Sequence, residues 1–163
     1  MNKLTITAML NSNAGLAALV LRVPVGIILT AHGAQKLFGW FGGYGLQGTG
    51  EWMASIGLQP GYVMALLAGS AEFFGGLALV LGLLTRPAAA VSAFTMLVAL
   101  FSVHFSNGLF LANNGFEYAL ALSAATLALA IQGGGAVSVD KSLYHLITNK
   151  HYGQNPYTVG STV

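Results

Sequence analysis

Cysteine is absent from this 163-residue chain and charge nearly so, with Asp, Glu, Lys and Arg together at 6%. The first absence excludes a disulfide scaffold, a zinc-thiolate site and a cysteine redox relay. The second excludes an ordinary soluble domain, in which those four residues supply about 25%. Six basic and four acidic side chains cannot cover a globule of this size with water-facing groups. They form no basic stripe either, so no nucleic-acid partner is expected. What is present is apolar: 55% of residues are hydrophobic, 22 are glycine, and the mean hydropathy is +0.72. Disorder needs the opposite balance, and glycine is commoner in membrane helices than in soluble ones. The composition describes an integral membrane protein whose main partner is the lipid bilayer.

A crossing helix needs about 20 mostly apolar residues. Four runs qualify or nearly qualify: 16–38, 62–84, 87–105 and 117–131, the last of them short. They are rich in alanine and leucine and lack the alternation of a membrane barrel. The predicted fold is therefore all-α, an integral membrane four-helix bundle. Pro87, just after Thr85 and Arg86, suits the start of a helix and makes the second and third spans a tight hairpin. Residues 1–15 lack a cleavage site and read as a cytoplasmic N-terminal segment, 16–148 as the membrane domain, and 149–163 as a flexible cytoplasmic tail. Lys3, Arg86, Lys141 and Lys150 fall on one side of a four-span chain, and the opposite loops carry no Lys or Arg. The positive-inside rule then predicts both termini in the cytoplasm, with the chain crossing the membrane several times.

Two short interfacial helices are expected. In the first outer loop, Thr49 suits an N-cap and Glu51 a first turn, with Trp40, Trp52 and Tyr62 as interfacial anchors. After the fourth span, Asp140 suits the cap of a helix over 141–148. The motif Gly43-Tyr44-Gly45-Leu46-Gln47-Gly48 has dinucleotide-binding spacing, but it joins two membrane helices instead of lying in a βαβ unit and is rejected.

Ionisable groups at membrane depth are costly and usually face a bundle interior. In the first span Arg22, Gly26, Leu29, Gly33 and Lys36 form one helical stripe, with His32 four residues before Lys36. Glu72 shares a face with Ala65, Ala68, Gly69 and Gly76; Glu117 heads a stripe of Ala121, Ala124, Ala125 and Ala128. By helical rise, His32, Lys36, His104 and Glu117 lie near the outer surface, Glu72 nearer the middle and Arg22 nearer the cytoplasm. The expected product is an outward-facing polar pocket. Its candidate reactive groups are His32, Lys36, Glu72, His104 and Glu117; Trp40, Trp52 and Phe101 are candidates to hold a ligand, with Phe38, Phe41 and Phe105 also at the mouth and the Trp52 segment as a lid. Arg22 and Glu72 are the candidate structural ion pair. No Glu-x-x-His spacing of a di-metal bundle occurs, and no metal is assigned. His145 and His151 read as surface residues.

Several segments resemble the DoxX family of small bacterial inner-membrane proteins. They are Leu21-Arg22 with Gly33-x-x-Lys36; Ala71-Glu72-Phe73-Phe74-Gly75-Gly76-Leu77 with Leu81-Gly82-Leu83-Leu84-Thr85-Arg86; the stretch around His104; and the glycine-rich run ending in Ser138-Val139-Asp140. The resemblance implies a four-helix membrane protein associated with redox systems, as in the membrane subunit of an archaeal thiosulfate:quinone oxidoreductase and in proteins tied to quinone or catechol detoxification and oxidative-stress defence. The expected function is that of a quinone-linked oxidoreductase component binding a small redox molecule, with quinone as the suspected cofactor. The alternatives are a non-catalytic membrane subunit that recruits or stabilises a partner complex, or a narrow proton or small-solute pathway around Glu72; a redox protein and a second copy of the chain are the candidate protein partners.

Overall fold

The computed structural model describes residues 3–149 and, among them, is all-helical. The elements are α1 (Lys3–Leu10), α2 (Ala17–Phe38), α3 (Gly45–Ser55), α4 (Gly61–Leu81), α5 (Thr85–Ala99), α6 (Glu117–Gln132) and α7 (Val139–Asn149). A π turn over Leu100–His104 and a 3-10 turn over Phe105–Asn107 prolong α5. Three segments, Ala17–Phe38, Gly61–Leu81 and Thr85–Asn107, are long and apolar enough to cross a membrane, and α6 is a shorter apolar helix. Lys150, His151 and the tail lie outside the described residues.

The molecule is apolar outside and partly polar inside. Val20 is 72% exposed and Phe94 69%, whereas Arg22 is 2% exposed and Glu72 3%. Contiguous apolar surface on this scale is what lipid covers. The four longest helices pack by shape. Helices α2 and α4 form the most extensive contact, followed by α5 against α6. A Cβ on Gly33 would fall on the backbone of Phe73, and one on Gly26 on Gly76 and Val80. The two glycines thus let two backbones meet, which is how helices gain contact where lipid already solvates their apolar side chains.

The end of the bundle where α4 turns into α5, the hairpin end, is held by two buried charges. Arg22 donates from Nη1 to the carbonyl of Leu79 (2.8 Å), from Nε to that of Gly134 (3.2 Å), and also to those of Val80 and Val137. Leu79 and Val80 lie in the last turn of α4, where the helix dipole favours a cation. Asp140 accepts from the amides of Leu84 (2.7 Å) and Thr85 (2.8 Å). It therefore caps α5, a helix distant in sequence. The expected cap of its own helix is supplied by Ser138, whose Oγ accepts from the Lys141 amide at 3.1 Å. Leu84 has φ 46°, a left-handed conformation that costs a non-glycine residue about 1–3 kcal/mol; the carboxylate bonded to its amide holds it there.

Thr49 is likewise not an N-cap, because α3 begins four residues earlier and Thr49 is buried on its inner face with Gly50 and Met53. Glu51 accepts from Gln47 across one turn of α3 at 2.8 Å. The segment before α2 is partly helical and is built into the fold. Arg86 donates to the carbonyls of Asn11 (3.2 Å), Ala130 (3.1 Å) and Ile131, and Ser12 Oγ donates to the Gln132 carbonyl at 2.6 Å.

Candidate functional site

At the opposite, loop end, α2, α4, α5 and α6 do not close completely. They leave a chamber of about 110 Å³ lined by His32 and Lys36 from α2, Glu72 from α4, His104 from the π turn, and Tyr118 from α6. Leu29, Met96 and Leu122 form its apolar floor.

The charged centre is one ion pair. Lys36 Nζ donates to Glu72 Oε2 at 2.6 Å, with Lys36 23% exposed and Glu72 nearly enclosed. Burying a lone carboxylate costs several kcal/mol, so a partner at hydrogen-bond distance is needed. The pair expected from the sequence, Arg22 with Glu72, does not form. Arg22 lies close to the start of α2 and donates to four carbonyls there, while Lys36, near the other end of α2, reaches Glu72. Among the described residues Glu72 Oε1 makes no hydrogen bond. Lys36 Nζ has one further contact, 3.5 Å from the His32 carbonyl, so it keeps donor capacity toward the chamber.

His104 is presented by the π turn, a local widening of the helix that occurs often at functional sites. Its Nδ1 lies 2.9 Å from the Asn114 carbonyl oxygen. A carbonyl can only accept, so Nδ1 carries the proton, and a neutral His104 keeps its lone pair on Nε2. His32 faces Tyr118 with ring centroids 6.2 Å apart.

The other candidates lie elsewhere. Glu117 does not line the chamber; its Oε1 accepts from the Leu111 amide at 2.6 Å and fixes the loop before α6. The stripe it was expected to head faces outward in part, and the inward residues of α6 are Ala119, Leu122, Ser123, Thr126 and Leu129. Trp52 lines a separate groove of about 510 Å³ with Gln35, Tyr44 and Thr49, which touches the chamber's lining only at Lys36. Trp40 packs against Phe38 and borders an apolar groove on α2 and α4. Phe101 packs at a tilt on Phe105, which stacks on Phe116, and Phe38, Phe41, Phe101 and Phe105 are all exposed and off the chamber. Tyr118 was missed, although its phenol follows directly on Glu117 and precedes the buried Ala119. Among the described residues no three His, Asp or Glu side chains are grouped as metal ligands.

The DoxX family model matches residues 17–105, from the start of α2 through His104. The "Putative oxidoreductase CatD" of Bacillus subtilis (strain 168) is 34% identical over 120 residues, covering 74% of this chain and 83% of that protein. The "Inner membrane protein YqjF" of Escherichia coli (strain K12) is 37% identical over 131 residues, covering 77% and 90%. A second protein of that organism, "Inner membrane protein YphA", is 31% identical over 128 residues, covering 76% and 87%. No solved structure matches the chain significantly. A family match over more than half the sequence, joined to relatives aligned along most of their own length and to helices built for lipid, means that this membrane protein belongs to the DoxX family.

Proposed function

We propose that this chain is a bacterial inner-membrane component of a redox system and that its loop-end chamber binds the polar head of a quinone-like molecule. The observation that carries the reading is the meeting of an ion-paired lysine, a histidine held through Nδ1 by a carbonyl, a second histidine and a phenol around one small space. Two relatives are named as inner membrane proteins and one as an oxidoreductase, which supports the location and the redox association. In this reading the hairpin end, which carries Arg86 and Lys141, faces the cytoplasm as the positive-inside rule expects, and the chamber faces outward.

The donor set suits a molecule with oxygen functions on a ring edge. Lys36 would donate to an oxygen and stabilise negative charge on it. His104 Nε2 would accept a hydrogen bond from a hydroxyl and take its proton; the Asn114 carbonyl, bonded to Nδ1, steadies the imidazolium that results. Glu72 holds the Lys36 ammonium at the chamber through their 2.6 Å bond. The quinone would supply the electron chemistry. The partner that delivers or removes those electrons is a separate protein or cofactor.

The test is an optical titration of the detergent-purified protein with a short-chain quinone and its quinol, alongside mass spectrometry of what co-purifies. A saturable spectral shift, weakened about tenfold or more by His104→Ala (about 1.4 kcal/mol per decade), is the expected outcome. A folded protein that shows no shift, or an unchanged affinity in His104→Ala, removes the quinone reading.

A further inference from the structure

The chamber lies beneath a strap and beside a seam of its lining helices where contact is slight. Residues 108–116 form a strap above it, with Leu111 and Gly115 in its lining. The strap is pinned by bonds from the Phe116 amide to the Gly108 carbonyl (3.0 Å), from the Glu117 amide to the Leu109 carbonyl (2.9 Å), and from the Leu111 amide to Glu117. Asn114, in the same strap, is held by His104. These contacts order the strap beside the chamber.

The side is the seam between α2 and α6. These helices touch far less than α2 touches α4 or α5 touches α6. At the seam His32 and Tyr118 face each other with their rings tilted 52°, and both are exposed on the outer surface, Tyr118 at 38%. His32 lies six residues before the end of α2, about 9 Å of helical rise, so the opening is below the rim. A polar pair exposed on the flank of a membrane bundle is costly unless something polar meets it there. Leu29 and Leu122 continue the lining below.

Size supplies the second argument. Pockets that enclose a whole drug-sized ligand span about 300–1,000 Å³, and this chamber has about 110 Å³. It accommodates a ring edge and leaves a long chain outside.

We propose that the α2–α6 seam is a lateral portal through which a bilayer-dissolved amphiphile inserts its head between His32 and Tyr118 while its hydrocarbon tail stays in the lipid. The substrate class is a small hydroxyl- or carbonyl-bearing head on an apolar chain. The identity of the head rests on the quinone reading above; the route rests on the seam alone.

The chain has no cysteine, so Tyr118→Cys carries a unique label. In liposomes, a spin label there should collide more often with oxygen dissolved in the bilayer than with a water-soluble nickel chelate. The reverse order overturns the portal whatever the ligand, and His32→Cys reads the same property from the opposite lip. Modifying the thiol of the Tyr118→Cys variant with a benzyl methanethiosulfonate should then weaken binding of a decyl-tailed quinone by about tenfold or more. It should change binding of the tail-less quinone with the same head by no more than about threefold, and a reductant should restore the difference. Equal loss for both quinones, or no loss for either, overturns the portal. If neither quinone binds the unmodified protein, the quinone reading falls and the spin-label order alone decides the route.

Discussion

The two ends of the bundle treat buried charge in opposite ways. At the hairpin end, Arg22 is spent on four carbonyls and Asp140 on two amides, and every one of these bonds closes a helix terminus or a turn. At the loop end, Lys36 and Glu72 share a single bond, Glu72 Oε1 is left without a partner among the described residues, and a chamber adjoins the pair. Buried polar groups in proteins are nearly always satisfied. A charge bonded on several sides to helix ends is therefore a structural element, while one with few bonds beside a cavity is a candidate for chemistry. The same α2 stripe supplies Arg22 to one end and Lys36 to the other, so the residue type alone does not decide the role.

The comparison can be broken most severely at Arg22. Arg22→Leu removes every donor from the carbonyls of Leu79, Val80, Gly134 and Val137 at once. Leaving such groups buried and unbonded should cost about 3–5 kcal/mol, read as lost folded yield and a lower melting temperature in detergent. Survival with normal thermal stability would show that water reaches that end and that the node is not structural. Asp140→Ala should follow, at about 2–4 kcal/mol, because two charge-assisted bonds disappear and Leu84 loses what holds its left-handed backbone. Asp140→Asn, which keeps one acceptor, should recover part of the loss. Neither variant should alter the affinity of the folded fraction for a quinone.

How much of this was legible in the sequence follows from the same contrast. The inward faces of α2 and α4 could be read because charges and glycines interrupt apolar runs at helical spacing, and the structure buries Arg22, Gly26, Leu29, Gly33, Glu72 and Gly76 accordingly. The face of α6 could not, since alanine occurs all round that helix and carries no orientation. Its inward side is marked instead by Ser123 and Thr126, whose hydroxyls bond back to Ala119 and Leu122 at 2.7 Å each. Capping rules act locally and so assigned Asp140 to its own helix; they give no hint of a bond to amides 55 and 56 positions away. The convergence of His32, Lys36, Glu72 and His104 on one chamber followed from depth along the helices. The displacement of Glu117, Trp40, Trp52 and Phe101 depended on loop paths that periodicity does not encode.

The loop end sharpens the comparison with smaller effects on stability and larger ones on binding. Lys36→Met leaves Glu72 buried without its partner, and the carboxylate can respond by taking a proton; the cost should be about 1–3 kcal/mol, less than at Arg22. Quinone affinity should fall by about tenfold or more as the donor to the ligand oxygen is lost. The double variant Lys36→Met/Glu72→Gln separates the two effects. It removes both charges together, so stability should return to within about 1 kcal/mol of the parent while affinity stays low. Recovery of both properties would mean that the pair only positions the helices and that the ligand is held elsewhere.

The smallest expected effect falls on Tyr118. Tyr118→Phe keeps the ring against His32 and removes only the hydroxyl, at a site already 38% exposed. Stability should change by about 0.5 kcal/mol or less, as for an exposed substitution away from any cap or buried bond. If the phenol meets the head of an incoming ligand, affinity should drop by about three- to tenfold, the worth of one neutral hydrogen bond. A titration comparing the parent, Tyr118→Phe and Tyr118→Leu reads this directly. Loss in Phe equal to that in Leu assigns the effect to the hydroxyl; loss in Leu alone assigns it to the ring. Stability unchanged in all three, with affinity altered in at least one, would place Tyr118 with the unsaturated groups of the loop end. A fall in stability without a fall in affinity would move it to the structural side, beside Arg22 and Asp140.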